Sequence, residues 1–144
     1  MSDPVITVEG VTIRTEKGPL LEALTFAVER GQVVAVMGGS GCGKSTLLRH
    51  MIGLERPAGG DIRIEGSSIV RAPTAQRYEI TKKVGVLYQS SALFGSMTLL
   101  ENVSLPLEEH TALDADIIDS VARQKLALVG LEGFEEYLPD HLSG

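Results

Sequence analysis

Apolar and polar residues alternate over Ile6-Thr7-Val8-Glu9 and again over Val11-Thr12-Ile13-Arg14, so each segment predicts a half-buried strand. Glu16-Lys17-Gly18-Pro19 is a turn cluster. Leu24-Thr25-Phe26-Ala27-Val28 resumes the alternation, with Leu24, Phe26 and Val28 on one face. Val33-Val34-Ala35-Val36-Met37 differs: an unbroken apolar run is the pattern of a strand covered on both faces of a parallel sheet. The next segment, Thr46 to Ile52, has helical spacing, with Leu47, Leu48, Met51 and Ile52 on one side. Arg56 to Gly60 reads as a turn, Asp61 to Glu65 as a short alternating strand, and Ala75 to Lys82 as a short helix. Val84-Gly85-Val86-Leu87-Tyr88 predicts a second buried strand, ending at Gln89. Thr98 and Glu101 have the spacing of a capping box, which starts a helix, and Pro106 is expected to limit its length. Asp114 begins the last long helix, with a stripe of Ile117, Ile118, Val121, Ala122, Leu126 and Val129 and a C′ glycine at Gly130. Pro139 to Gly144 reads as a loop, and no internal repeat or low-complexity segment is present.

Composition narrows the class. A chain of 144 residues with 43% hydrophobic and 22% charged residues is ordinary for one soluble globular domain. A net charge of −6 argues against nucleic acid as a partner, because phosphate backbones call for a basic face. Cys42 stands alone, so no intrachain disulfide forms, which fits a reducing cytoplasm. No apolar run approaches the ~18 residues of a membrane span, and Met1-Ser2-Asp3-Pro4 lacks the features of a signal peptide. His50, His110 and His141 are too far apart for a local metal motif and are expected to be solvated or packed. Asp114, Asp116 and Asp119 read as the wet face of the last helix.

The candidate chemistry lies between the first apolar run and the first helix. Gly38-Gly39-Ser40-Gly41-Cys42-Gly43-Lys44-Ser45 fits G-x-x-x-x-G-K-[ST]. Glycines let the backbone turn so that successive N–H groups converge on anionic oxygens. A helix opening near Lys44 adds its positive end to the same place. Lys44 is expected to reach the β- and γ-phosphates and the Ser45 hydroxyl to ligate Mg²⁺. A chance match in a chain of this size is on the order of 1%, and the flanking strand and helix patterns favour a phosphate site over an inert glycine turn. Cys42 fills a variable position of the motif, where any small side chain serves.

The order of motifs also carries a family likeness. Gly38 to Leu48, then Gln89 behind an apolar strand, then Leu142-Ser143-Gly144 behind a long helix resemble the ATP-binding subunit of an ABC transporter. The segment Val84 to Leu107, followed by Glu109-His110-Thr111, is most similar to the ATPase of the Mla-type (maintenance of lipid asymmetry) phospholipid transporters. The resemblance implies an α/β P-loop NTPase fold with an antiparallel β flap, a P-loop core and a helical lobe. It implies ATP and Mg²⁺ as cofactors, held by Gly38, Gly39, Ser40, Gly41, Cys42, Gly43, Lys44, Ser45 and Thr46. Gln89 would be the Q-loop residue that places water and Mg²⁺, and Leu142, Ser143 and Gly144 the start of the signature motif. A second ATP-binding subunit would pair head to tail with this one. A membrane permease would dock beside the Q-loop near Phe94, which places the protein on the cytoplasmic face of the inner membrane.

Two departures shape the expectation. The aromatic residue that stacks on adenine in many relatives has no counterpart between Val11 and Gly18, where Thr15 is nearest the expected place. The Walker B carboxylates and the switch histidine, which follow the signature in the family order, have no counterpart up to Gly144. Residues 1–144 are therefore expected to be the N-terminal part of one nucleotide-binding domain, with part of its core sheet missing, competent at most to bind nucleotide. The competing classes are a non-catalytic nucleotide-binding module and another P-loop enzyme such as a small-molecule kinase.

Overall fold

A computed structural model describes residues 4–16, 18–88 and 92–142. The chain divides into two compact units, with the boundary between Val86 and Leu87.

The first unit is built on a four-stranded antiparallel sheet formed by β1 (Ile6–Thr15), β2 (Gly18–Val28), β3 (Gly59–Ile64) and β4 (Ser67–Ser68), in the order β2-β1-β3-β4. The two alternating segments expected between Ile6 and Arg14 are one strand. The ladder to β2 shifts register between Val8 and Val11, and the Gly10 N–H donates to Thr25 Oγ1 at 2.9 Å. That irregularity bends the strand and lets the alternation continue in a new phase. Val8, Val11 and Ile13 of β1 and Ile62 and Ile64 of β3 point into one core. Leu47 of α1 (Lys44–Met51), Ile69, Ala72 and Ile80 of α2 (Thr74–Thr81) complete it. Asp61 is buried at the edge of this core, where Oδ1 accepts from the Ile62 N–H at 3.0 Å and the Ser68 hydroxyl at 2.5 Å. The guanidinium groups of Arg63 and Arg71 stand 3.2 and 3.6 Å from Oδ2. A buried carboxylate is tolerated only with such compensation.

The two unbroken apolar runs depart from expectation. Neither Val33 to Met37 nor Val84 to Tyr88 joins a ladder, and Val33, Met37 and Leu87 are 95%, 88% and 97% exposed. A parallel strand obtains its backbone hydrogen bonds only from a neighbour. The described residues form one sheet, and neither run pairs with it.

The second unit packs α3 (Leu99–His110) against α4 (Ala115–Leu128). The capping box is present in both directions: Thr98 Oγ1 accepts from the Glu101 N–H at 3.2 Å, and Glu101 Oε2 accepts from the Thr98 N–H at 2.7 Å. Pro106 does not shorten α3, contrary to the expectation from its missing N–H. It removes one rung only, and the Leu107 carbonyl one residue on is still taken by the Thr111 N–H at 3.0 Å. Along α4, Ile118, Ala122 and Leu126 are buried, whereas Ile117 and Val129 of the expected stripe are exposed. Gly130 ends α4 with φ +76°. Its N–H donates to the Ala127 carbonyl and that of Leu131 to the Leu126 carbonyl, both at 3.0 Å. This pair of bonds is a Schellman closure. The expected terminal loop contains a 3-10 turn over Pro139–His141.

Candidate nucleotide-binding site

The glycine-rich loop sits where its sequence places it, immediately before α1. Gly43 is the N-cap, with φ +97° and ψ 9°, a left-handed conformation natural to glycine. A Cβ there would also stand 3.0 Å from Cδ2 of Leu20 on β2. Leu20 is thus the floor beneath the helix start, a supporting residue that the sequence pattern alone does not single out. The loop folds tightly on itself: a Cβ on Gly38 would lie 2.6 Å from Cys42 Sγ. Lys44 bends back over the loop and donates from Nζ to the Gly38 and Gly39 carbonyls, each at 2.8 Å, with Cys42 Sγ at 3.7 Å.

The start of α1 has no side-chain cap and no acidic residue in its first turn. Its first N–H groups and the positive end of the helix dipole therefore have no local anionic partner. A small cleft of about 150 Å³ opens there, lined by Gly41, Gly43, Lys44, Ser45 and Thr46. Ser45 is exposed, so its hydroxyl is free to meet solvent or a ligand. This donor set suits a polyphosphate: backbone N–H groups, one ammonium and the hydroxyls of Ser45 and Thr46, with no carboxylate in the lining. The described residues contain no group of three His, Cys, Asp or Glu that could hold a metal ion. A Mg²⁺ here would rest on the Ser45 hydroxyl and on oxygens brought by the nucleotide. His50 takes the packing role expected of it, buried, with Nδ1 2.8 Å from the Thr46 carbonyl.

Gly38 to Thr46 therefore converge in one place. Leu142 follows the 3-10 turn and is half-buried. Gln89, Ser143 and Gly144 lie outside the described residues.

In the second unit, Leu93 and Phe94 are 48% and 56% exposed. Asn102 of α3 holds the turn that carries them. Its Oδ1 accepts from the Phe94 N–H at 2.8 Å. Its Nδ2 lies 3.0, 3.1 and 2.9 Å from the carbonyls of Phe94, Met97 and Thr98. Nothing in the hydrophobic pattern marks Asn102, because its partners are backbone atoms.

A glycine loop closed around a lysine and opening a helix has the form of a P-loop. The chain belongs to the ABC transporter family, whose sequence profile matches residues 21–144. It is 42% identical over 139 residues to the "Probable ribonucleotide transport ATP-binding protein mkl" of Mycobacterium tuberculosis (strain ATCC 25618 / H37Rv), covering 96% of this chain and 39% of that protein. To the "Intermembrane phospholipid transport system ATP-binding protein MlaF" of Haemophilus influenzae it is 36% identical, over 100% of this chain and 54% of that one. The MlaF of Escherichia coli (strain K12) is 39% identical over 125 residues, covering 87% of this chain and 46% of that one. The chain thus spans about half or less of the length of these relatives. Among solved structures, dimeric MJ0796, a bacterial ABC transporter cassette, superposes with a TM-score of 0.85 at 29% identity, over 96% of this chain and 63% of that one. A dimeric post-hydrolysis form of MJ0796 bound to ADP and Pi gives a TM-score of 0.84 at 28% identity. The expected ABC ATPase fold is thereby established, as is the similarity to Mla-type ATP-binding proteins.

Proposed function

We propose that this chain is the nucleotide-holding part of an ABC transporter ATPase that powers phospholipid movement across the cell envelope. The observation that carries the reading is the Gly38 to Gly43 loop opening α1 at Lys44, with free helix N–H groups and a polar cleft in front of it. ATP would place its phosphates against the N–H groups from Gly39 to Thr46. Lys44 would exchange its two carbonyl partners for phosphate oxygens, which are stronger acceptors because they are charged. Ser45, with Gln89, would hold Mg²⁺, which neutralises the charge that develops on the phosphates. Leu142, Ser143 and Gly144 would face the nucleotide of a second subunit in a head-to-tail pair. The MJ0796 cassette, solved as a dimer, supports that arrangement.

The partner would be a membrane permease, received near Phe94, with the protein peripheral to the cytoplasmic face of the inner membrane. No helix among the described residues is long and apolar enough to cross a membrane. Similarity to MlaF along the whole chain supports phospholipid as cargo. The ribonucleotide transport named for the mycobacterial relatives is the alternative that a transport assay would separate. The test of the nucleotide site is calorimetric titration with Mg-ATP. Lys44→Ala removes charge-assisted hydrogen bonds and should weaken binding roughly 10- to 150-fold. Equal affinity in the two proteins would overturn the reading.

A further inference from the structure

We infer that Asn102 is a positioning residue for permease binding, acting through the turn that presents Leu93 and Phe94; this rests on the proposed docking near Phe94. The turn between Ala92 and Met97 has little structure of its own. Within it, the Met97 N–H bonds back to the Phe94 carbonyl at 3.1 Å. Among the described residues its other hydrogen bonds come from Asn102, whose amide oxygen accepts from one N–H and whose two amide N–H donors are shared among the carbonyls of Phe94, Met97 and Thr98. The Asn102 side chain is anchored by α3, whose first turn is fixed by the capping box and by the Tyr137 and Glu135 carbonyls, which accept from the Leu99 and Leu100 N–H groups at 2.9 and 3.0 Å. A rigid helix therefore dictates the path of an exposed apolar turn. Leu93 and Phe94 stand on that path at 48% and 56% exposure. Holding an apolar contact in its bound geometry spares the ordering cost at the moment of association. A single amide that both donates and accepts suits this task, and neither a carboxylate nor an alkyl group reproduces it.

Asn102→Asp discriminates well. It preserves size and the acceptor for the Phe94 N–H, but it turns an oxygen toward three carbonyls. Binding to the permease is measured with the complete ATP-binding subunit and the permease reconstituted in lipid nanodiscs, using the wild type, Asn102→Asp, Phe94→Ala, the double variant and Phe94→Asp. Asn102→Asp is expected to weaken permease binding roughly tenfold. Mg-ATP affinity should stay unchanged, since the glycine loop belongs to the first unit and both residues to the second. The double variant should be no weaker than Phe94→Ala alone, because Asn102 acts through Phe94; a merely structural loss would add to it. If Phe94→Asp leaves permease binding intact, the docking reading itself fails. If Phe94→Asp abolishes binding while Asn102→Asp leaves it intact, or the two effects add, the inference about Asn102 fails alone.

Discussion

Gly43 bears two demands that no other residue type meets together. It caps α1 with φ +97°, and it leaves space beside Leu20. An L-residue in that region costs about 1–2 kcal/mol, and the new methyl would press on Leu20. Gly39 lies in the same loop without a left-handed φ and with open space around it. Gly43→Ala is therefore expected to lower stability by at least ~1 kcal/mol and to weaken nucleotide binding, whereas Gly39→Ala should hardly change stability. Urea unfolding of the two variants checks this, and equal midpoints would show that the loop reshapes freely. The motif itself was fully legible as sequence, because its spacing states a backbone geometry. Leu20 and Asn102 were not. Each acts on backbone atoms far away or out of pattern, and a one-dimensional pattern records only a residue's own polarity.

Elements were legible in proportion to how local their cause is. The capping box at Thr98, the closure at Gly130 and the alternation of β2 depend on neighbours within a few residues, and they stand where expected, whereas the stripes of α1 and α4 are met only in part, with Leu48, Ile117 and Val129 exposed. The sheet order and the bulge near Gly10 depend on partners elsewhere in the chain and could not be read. The apolar runs at Val33 and Val84 show the limit most clearly. A run of valines states which surroundings suit it, and says nothing of whether a partner strand is there. At the same scale, three elements are joined by one carboxylate. Glu65, in the turn after β3, pairs through Oε1 with Arg30 beyond β2 and through Oε2 with Lys83 beyond α2, each at 2.8 Å. Its hydrogen bond to Lys83, and then that to Arg30, hold its carboxyl below the ordinary 4.5. A pKa depressed on folding gives stability that is present above 4.5 and is lost as pH falls through the lower, folded value. The wild type should therefore exceed Glu65→Gln in stability at neutral pH, and the two should converge in strong acid. Because the cluster is exposed, the gap should be small and should shrink with added salt. A gap that persists at acid pH would mean that Glu65 works through packing and not through charge.

At the scale of the whole molecule, a polypeptide of these 144 residues should bind nucleotide without turning it over. The cleft at the helix start is lined by Gly41, Gly43, Lys44, Ser45 and Thr46, none of which can take a proton from an attacking water. These groups stabilise phosphate charge, and with Gln89 proposed to orient the attacking water, what they do not supply is an acceptor for its proton. The apolar runs add a second expectation. Val33, Met37 and Leu87 are almost wholly exposed, and within the first unit Val34 and Val36 line a cleft of about 460 Å³ together with Ile6, Phe26, Val28 and Leu47, among others. Apolar surface of that kind recruits hydrophobic dyes and promotes self-association. The polypeptide should thus bind such a dye strongly and tend to aggregate at high concentration. Phosphate release is then measured beside Lys44→Ala as a control. The expected result is the same background rate in both, with Mg-ATP bound only by the protein that keeps Lys44. Robust release that depends on Lys44 would show that a residue able to activate water lies within these 144 positions, and the reading of them as a binding part of the cassette would have to be abandoned.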